Sequence, residues 1–305
     1  MKNMNKGIKL AFGTAIISGI ANFVNKLALK GIQPLVHTTL KNSFVFLFIT
    51  GICLLLSKAK EFKKLNKTDW IKLGLIGIIG GSLPFYLFFT ALAQMPAINA
   101  SLIHKTLIFW VALLAIPFLK EKLTPKHLIA IALLFSSNLI VGGFKGWQFS
   151  QPELMILAAT LLWSVENVIA KVTLKKIDPM IVAGARMGFG SLILMFATEV
   201  TGKMPLVASL SLQQWSMILL TAVLLFGYVT TWYTALKYAP IVTVASILVS
   251  ATLVTNILSA VFVTHALNAQ QIWQALFVVA GTILIVRETK KTIQDSLPKT
   301  KKSLP

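Results

Sequence analysis

Apolar runs of about 20 residues recur along this chain, the length a helix needs to cross ~30 Å of hydrocarbon. A membrane-spanning strand needs only about 9–11 residues in strict alternation, so the runs read as helices. They fall into two halves that look like copies of each other. Asn22, Lys26, Leu29, Lys30, Ile32 and Pro34 recur as Asn167, Lys171, Leu174, Lys175, Ile177 and Pro179, a displacement of 145 residues. Thr90-Ala91-Leu92 with Pro96 recurs as Thr234-Ala235-Leu236 with Pro240. Each half carries five runs, and an odd number of crossings turns the second copy upside down in the bilayer. Inverted repeats of this kind place a substrate site at the repeat interface near the midplane.

The expected fold is therefore an all-α polytopic membrane protein with ten transmembrane helices arranged as two inverted five-helix repeats. The first five helices are expected at 8–29, 35–56, 70–93, 97–119 and 126–143, and the second five at 153–174, 180–199, 214–236, 241–264 and 271–286. The first repeat takes 1–148 and the second 149–290, leaving 291–305 as a basic tail. From Val286 onward the chain is polar and reads as disordered and solvated. The first run follows a basic N-terminus but is long and lacks a small-residue cleavage site, so no removable signal peptide is expected.

A net charge of +20 invites a nucleic-acid reading, but most lysines sit in short loops between apolar runs. There they set topology. One side collects Lys2, Lys6, Lys9, six lysines between Lys58 and Lys72, Lys120, Lys122, Lys126, Lys175, Lys176, Lys237 and the basic C-terminus. The other holds only Lys30, Lys145 and Lys203. Both termini are expected in the cytoplasm, with the bilayer and a small molecule as partners and no nucleic acid. Only 12% of residues are charged, about half the share of a soluble domain, so almost no extramembrane domain is expected. The single cysteine, Cys53, sits in an apolar run and can form no internal disulfide.

Polar groups inside the runs are the candidate site, because a charge at the bilayer centre costs ~2.5–3.5 kcal/mol on insertion scales. Glu166 is the one acid well inside a run, about nine residues from the cytoplasmic end of the sixth helix. Asn167 lies beside it, and its mate Asn22 takes the same depth in the first helix. Thr14, Ser18, Asn22, Asn25 and Lys26 form one stripe, and Trp163, Glu166, Asn167, Ala170 and Lys171 form another. The two stripes are expected to face each other across a cavity. Arg186 in the seventh helix can reach Glu166, either as a structural pair that neutralises two costly charges or as part of the site. Lys105 shares a face with Ser101 at a depth from which snorkelling is difficult, and Lys41, at similar depth in the second helix one turn after His37, either faces the cavity or snorkels. Lys26 and Lys171, within about a turn of helix ends, are expected to snorkel. Thr243, Ser246 and Ser250 form a hydroxyl face on the ninth helix, either bonded back to their own helix or lining a polar path. Tyr86, Trp110, Tyr228, Trp232 and Tyr233 are candidates for the cavity wall or for interfacial belts. Gly74, Gly77, Gly80 and Gly81 before Pro84, and Gly184, Gly188 and Gly190, let backbones approach closely. Pro84 should kink its helix.

The four histidines, His37, His104, His127 and His265, have no metal-ligand spacing. No paired carboxylates, phosphate loop or nucleophile constellation is present, so neither a metal, a cofactor nor an enzyme is expected.

The paired first and sixth helices ending near Pro34 and Pro179, the Thr90-Ala91-Leu92 segment, and the run Pro117-Phe118-Leu119-Lys120-Glu121 together resemble the drug/metabolite transporter superfamily, specifically its EamA-type ten-helix carriers. Lys120 stands where that family often has glycine, and the second copy, around His265, lacks the acid. The resemblance covers both halves. It implies a two-bundle carrier with a central cavity and alternating access, whose relatives handle amino acids, cofactors, drugs, nucleotide sugars and phosphorylated metabolites.

Lys41, Lys105 and Arg186 set against Glu166 favour an acidic cargo, an amino acid or related carboxylate, exported from the cell across a bacterial inner membrane. Glu166 is the candidate proton-coupling group. The substrate-binding candidates are Asn22, Lys41, Ser101, Lys105, Trp163, Glu166, Asn167, Arg186, Tyr228 and Ser246. Import or exchange of a phosphorylated or nucleotide-like anion, export of cationic drugs recognised by Glu166, and a lipid-handling or scaffold role without flux are the alternatives. The internal repeat is compatible with a monomer or a homodimer.

Overall fold

The computed structural model of the protein describes residues 2–29, 31–92, 94–95, 97–140 and 148–296, and every regular element among them is a helix. The first three spans are Lys2–Ala28, Pro34–Leu55 and Lys67–Leu92. The sixth, seventh and eighth are Gln151–Thr173, Pro179–Val200 and Leu212–Tyr238. The fourth and ninth are broken helices. The fourth is Ala97–Lys105 followed by Leu107–Leu119, and the ninth is Ile241–Leu248 followed by Ala251–Ser259. The fifth is described over Pro125–Ile140, and the last three residues of the expected 126–143 lie outside the described set.

The tenth span, Ala269–Ser296, corrects the expectation for the tail. The chain does not become a solvated coil after Val286 but stays helical. Thr289 is buried and bonded to His127 Nε2 at 3.2 Å and to the Thr243 hydroxyl at 2.8 Å, contacts a loose tail could not keep. Residues 297–305 lie outside the described set.

Local chemistry repeats along with the sequence. The second span starts at Pro34, with the Gln33 side chain accepting from the Val36 amide at 2.8 Å, and the seventh starts at Pro179, with Asp178 accepting from the Met180 amide at 2.8 Å. Proline suits a first helical turn because that turn has no use for its missing N–H. The breaks in the fourth and ninth spans coincide too. Thr106 and Ser250 are equivalent under the offset that relates Thr90 to Thr234, and each hydroxyl donates back to a carbonyl three residues earlier, Ile103 and Ile247. After the fourth span, Lys120 is left-handed with φ 56°, a conformation that favours glycine. His265, after the ninth, matches it with φ 53°.

Extensive packing joins the two halves: first span with eighth, third with sixth, second with seventh, fifth with tenth. A two-fold axis in the membrane plane maps the first pair onto the second and each of the other two onto itself. Glycine makes a further contact between the halves possible. A Cβ on Gly81 would lie 2.1 Å from the Arg186 carbonyl, so the third span meets the seventh backbone to backbone.

On the side that carries the N-terminus, Ile8, Ala11, Leu174, Ile181, Leu236 and Ile241 are buried in one packed layer. The turn between the eighth and ninth spans is clamped there from two directions. The Lys171 ammonium donates to the Leu236 carbonyl and, at 2.6 Å, to the Ala239 carbonyl. The Glu121 carboxylate accepts from the Ile241 and Val242 amides at 2.7 and 3.3 Å. Burial pushes the Glu121 carboxyl above its ordinary range, against the opposing pull of those amides and of Lys171. Lys171 thus caps a helix end instead of snorkelling, whereas its mate Lys26 is exposed.

Candidate functional site

Above the packed layer, a cavity of about 290 Å³ lies between the two halves. Its wall includes Ser18, Ala21, Asn22 and Asn25 from the first span and Trp163, Glu166 and Asn167 from the sixth, so the two polar stripes meet across one space. Lys41, Lys105, Arg186 and Tyr228 complete the predicted residues found there. Ser246 is fully buried away from the wall because its hydroxyl donates back to the Val242 carbonyl at 2.7 Å. The Ser101 side chain lies outside the described set. Of the other candidate aromatics, Trp232 lines the cavity, Tyr233 packs fully buried behind it, Tyr86 faces a separate pocket, and Trp110 donates to the Thr106 hydroxyl at 3.1 Å.

Glu166 and Arg186 form no direct ion pair within 4.0 Å; Tyr233 joins them. The Tyr233 hydroxyl donates to Glu166 Oε1 at 2.6 Å and accepts from Arg186 Nη1 at 3.3 Å. Arg186 Nε donates to the Gly80 carbonyl at 3.2 Å, and the Trp163 indole N–H donates to the same oxygen at 3.1 Å. That carbonyl lies in a π-helical segment, Gly77–Ser82, which ends two residues before Pro84. Proline has no N–H to return to the carbonyl four residues back, which is Gly80. The absence of a side chain at Gly80 matters as well, since a Cβ there would lie 2.4 Å from Glu166 Cγ. Pro84 and the glycine stripe therefore do more than bend and pack the helix: they present a backbone acceptor to the site.

The two lysines are held differently. Lys41 Nζ donates to Asn25 Oδ1 at 3.3 Å and lies 5.6 Å from the centre of the Phe89 ring. Lys105 Nζ donates to Asn138 Oδ1 at 2.5 Å. Asn138 is tied to Gln274 at 3.4 Å, and Gln274 to Asn256 at 2.5 Å. Neither ammonium has a carboxylate partner among the described residues, whose only ion pairs are Lys58–Asp178 and Lys64–Glu61. Phe85, Phe89 and His104 join the wall without having been predicted.

The profile of the EamA-like transporter family matches this sequence twice, over residues 5–143 and 151–287. An uncharacterized transporter of Archaeoglobus fulgidus is 25% identical over 87% of this chain and 90% of its own. Uncharacterized transporters of Methanothermobacter thermautotrophicus and of Bacillus subtilis (YyaM) are 23% and 26% identical, over 48% and 57% of this chain. Those two matches span about half of each relative, 44% and 56%. A solved crystal structure, 15% identical, covers 93% of this chain and 98% of its own with a TM-score of 0.80, so the fold is shared.

Proposed function

Because the chain belongs to the EamA-like transporter family, we propose that its cavity carries a small carboxylate-bearing metabolite, an amino acid or a close relative, across the membrane by alternating access. One observation carries this reading. Lys41 and Lys105 present ammonium groups to the cavity that are anchored by amide oxygens and left without a carboxylate, while Arg186 already faces Glu166 through Tyr233. An uncompensated ammonium in a low-dielectric wall is stabilised by an anionic ligand. At about 290 Å³ the cavity lies just below the usual range of small-molecule sites, roughly 300–1,000 Å³, which favours a small metabolite over a nucleotide-like anion.

The lysine distribution supports cytoplasmic termini, and the membrane is read as a bacterial plasma membrane. The sealed side is then the cytoplasmic one, and the cavity belongs to a state poised for exchange with the outside. Export would run as a secondary process, with Glu166 as the proton-coupling group, in a monomer or a homodimer whose repeats are 1–148 and 149–290.

Thermal melting of the purified protein with acidic, zwitterionic, phosphorylated and cationic metabolites tests the cargo. A ligand at 100-fold its Kd adds about 2.7 kcal/mol to the folded state. Stabilisation by carboxylates, lost in Lys105→Ala, is the expected result; stabilisation by cations alone moves recognition to Glu166 and sinks the reading. In transport assays Glu166→Gln should flatten the pH dependence, and an unaltered profile removes Glu166 from coupling.

A further inference from the structure

The internal repeat contains its own image of a bound carboxylate. Under the 145-residue offset that aligns Pro34 with Pro179, Lys41 is the mate of Arg186, Asn22 of Asn167 and Ala21 of Glu166. Under the 144-residue offset of the Thr-Ala-Leu segments, Phe89 is the mate of Tyr233 and Phe88 of Trp232. The geometry follows the alignment. Arg186 lies 5.9 Å from the Tyr233 ring centre and Lys41 lies 5.6 Å from that of Phe89. The cavity therefore holds two repeat-related stations, each a cation over an aromatic ring.

The stations differ in what satisfies them. In the second copy, Glu166 supplies the carboxylate, the Tyr233 hydroxyl bridges it to the cation, and the Trp232 indole donates to Asn167 Oδ1 at 3.2 Å. In the first copy all three partners are gone: Glu166 becomes Ala21, Tyr233 becomes Phe89, and Trp232 becomes Phe88. The cation and the asparagine remain. Lys41 is held by Asn25, no hydrogen bond to a described residue engages the Asn22 side chain, and both Ala21 and Asn22 line the cavity.

We infer that the substrate carboxylate binds at the Lys41 station, in the place that Glu166 takes in the second copy, with Ala21 leaving the room and Asn22 donating its amide. This rests on the carboxylate-carrier reading and assigns the site within it. Lys105 then contacts the remainder of the cargo.

Returning the missing acid tests the assignment. The full-length protein is melted with lactate, succinate, glutamate and alanine, and a compound that stabilises the wild type is titrated against variants. Ala21→Glu provides a tethered carboxylate for Lys41, and Ala21→Gln provides the same length without the charge. The expected result is that Ala21→Glu weakens binding at least about tenfold more than Ala21→Gln and melts higher than it without ligand. Equal binding by the two variants overturns the assignment. Should Ala21→Glu fail to fold, Lys41→Gln decides: loss of binding upholds the station and wild-type binding removes it. A wild type that binds none of the carboxylates fails the parent reading, whereas carboxylate binding sensitive to Lys105→Ala but indifferent to Ala21→Glu fails only this one.

Discussion

Tyr233 is the residue on which the inner half of the site turns. Among the described residues its hydroxyl is the one group hydrogen-bonded to both Arg186 and Glu166, and Glu166 Oε2 is buried with no hydrogen-bond partner among them. Tyr233→Phe recreates the Phe89 arrangement and leaves both Glu166 oxygens unsatisfied. The expected cost is about 1–3 kcal/mol of stability, the usual range for an orphaned buried polar group. It should appear as a lower melting temperature that Glu166→Ala partly restores in the double variant; melting as wild type would show that Glu166 does not depend on this bond. The ionisable members of the site, Lys41, Lys105, Glu166 and Arg186, are legible in the sequence because charges inside apolar runs are costly enough to need a reason. Phe89 is not, because an aromatic residue in a span has many ordinary uses, and Tyr233 is legible only as a candidate wall aromatic, not as the bridge between Arg186 and Glu166. The Gly80 carbonyl is also hidden, since a freed backbone oxygen leaves no letter in the sequence beyond the proline that follows it.

Among the elements, the turn from the eighth span to the ninth is held by side chains from elsewhere in the chain, Lys171 on its carbonyls and Glu121 on its amides. The run ending in Glu121 reads as structural, and its task is to satisfy the first amides of the broken ninth span. Glu121→Ala leaves those donors without an acceptor, at an expected cost of about 1–3 kcal/mol. Glu121→Gln keeps one carbonyl acceptor and suits a position where burial already disfavours the charge, so it should melt between the wild type and the alanine variant. Wild-type melting of Glu121→Ala would show that the clamp contributes nothing. The number and order of spans are legible from apolar length, and the seventh-span start from its proline. The breaks at Thr106 and Ser250 are not, because a hydroxyl bonding back to its own helix occurs in continuous helices as well. The helical continuation past Val286 is missed because composition says only that its exposed face is basic; Thr289, which anchors it, is a single residue in a polar stretch.

For the whole molecule, the exchange of partners between halves means that neither five-helix copy forms the cavity alone. Ala11, near the start of the first span, is buried in the packed layer, while Asn22, farther along the same span, is exposed. A carrier must exchange these conditions, because a site open to both sides at once would leak its gradient, and repeats related by an in-plane axis offer two equivalent ways to close. The clamp on the eighth-to-ninth turn lies beside that packed layer. On the other side the repeat mate of Lys171, Lys26, is exposed, and no hydrogen bond to a described residue engages its ammonium. Single cysteines at Ala11 and Asn22, placed in a Cys53→Ala background, make the exchange measurable with a membrane-impermeant thiol reagent. Without substrate, the cysteine at position 22 should react from the side opposite the termini, and the one at position 11 should be protected from both sides. Under turnover with a transported substrate, labelling at position 11 from the terminal side should rise and labelling at position 22 should fall. A redistribution requires only that substrate favour the second state differentially, by about 1.4 kcal/mol for each tenfold change in the ratio of the two. Labelling that is unaffected by substrate at both positions would mean that the sealed layer does not open, and that alternating access through this cavity is wrong.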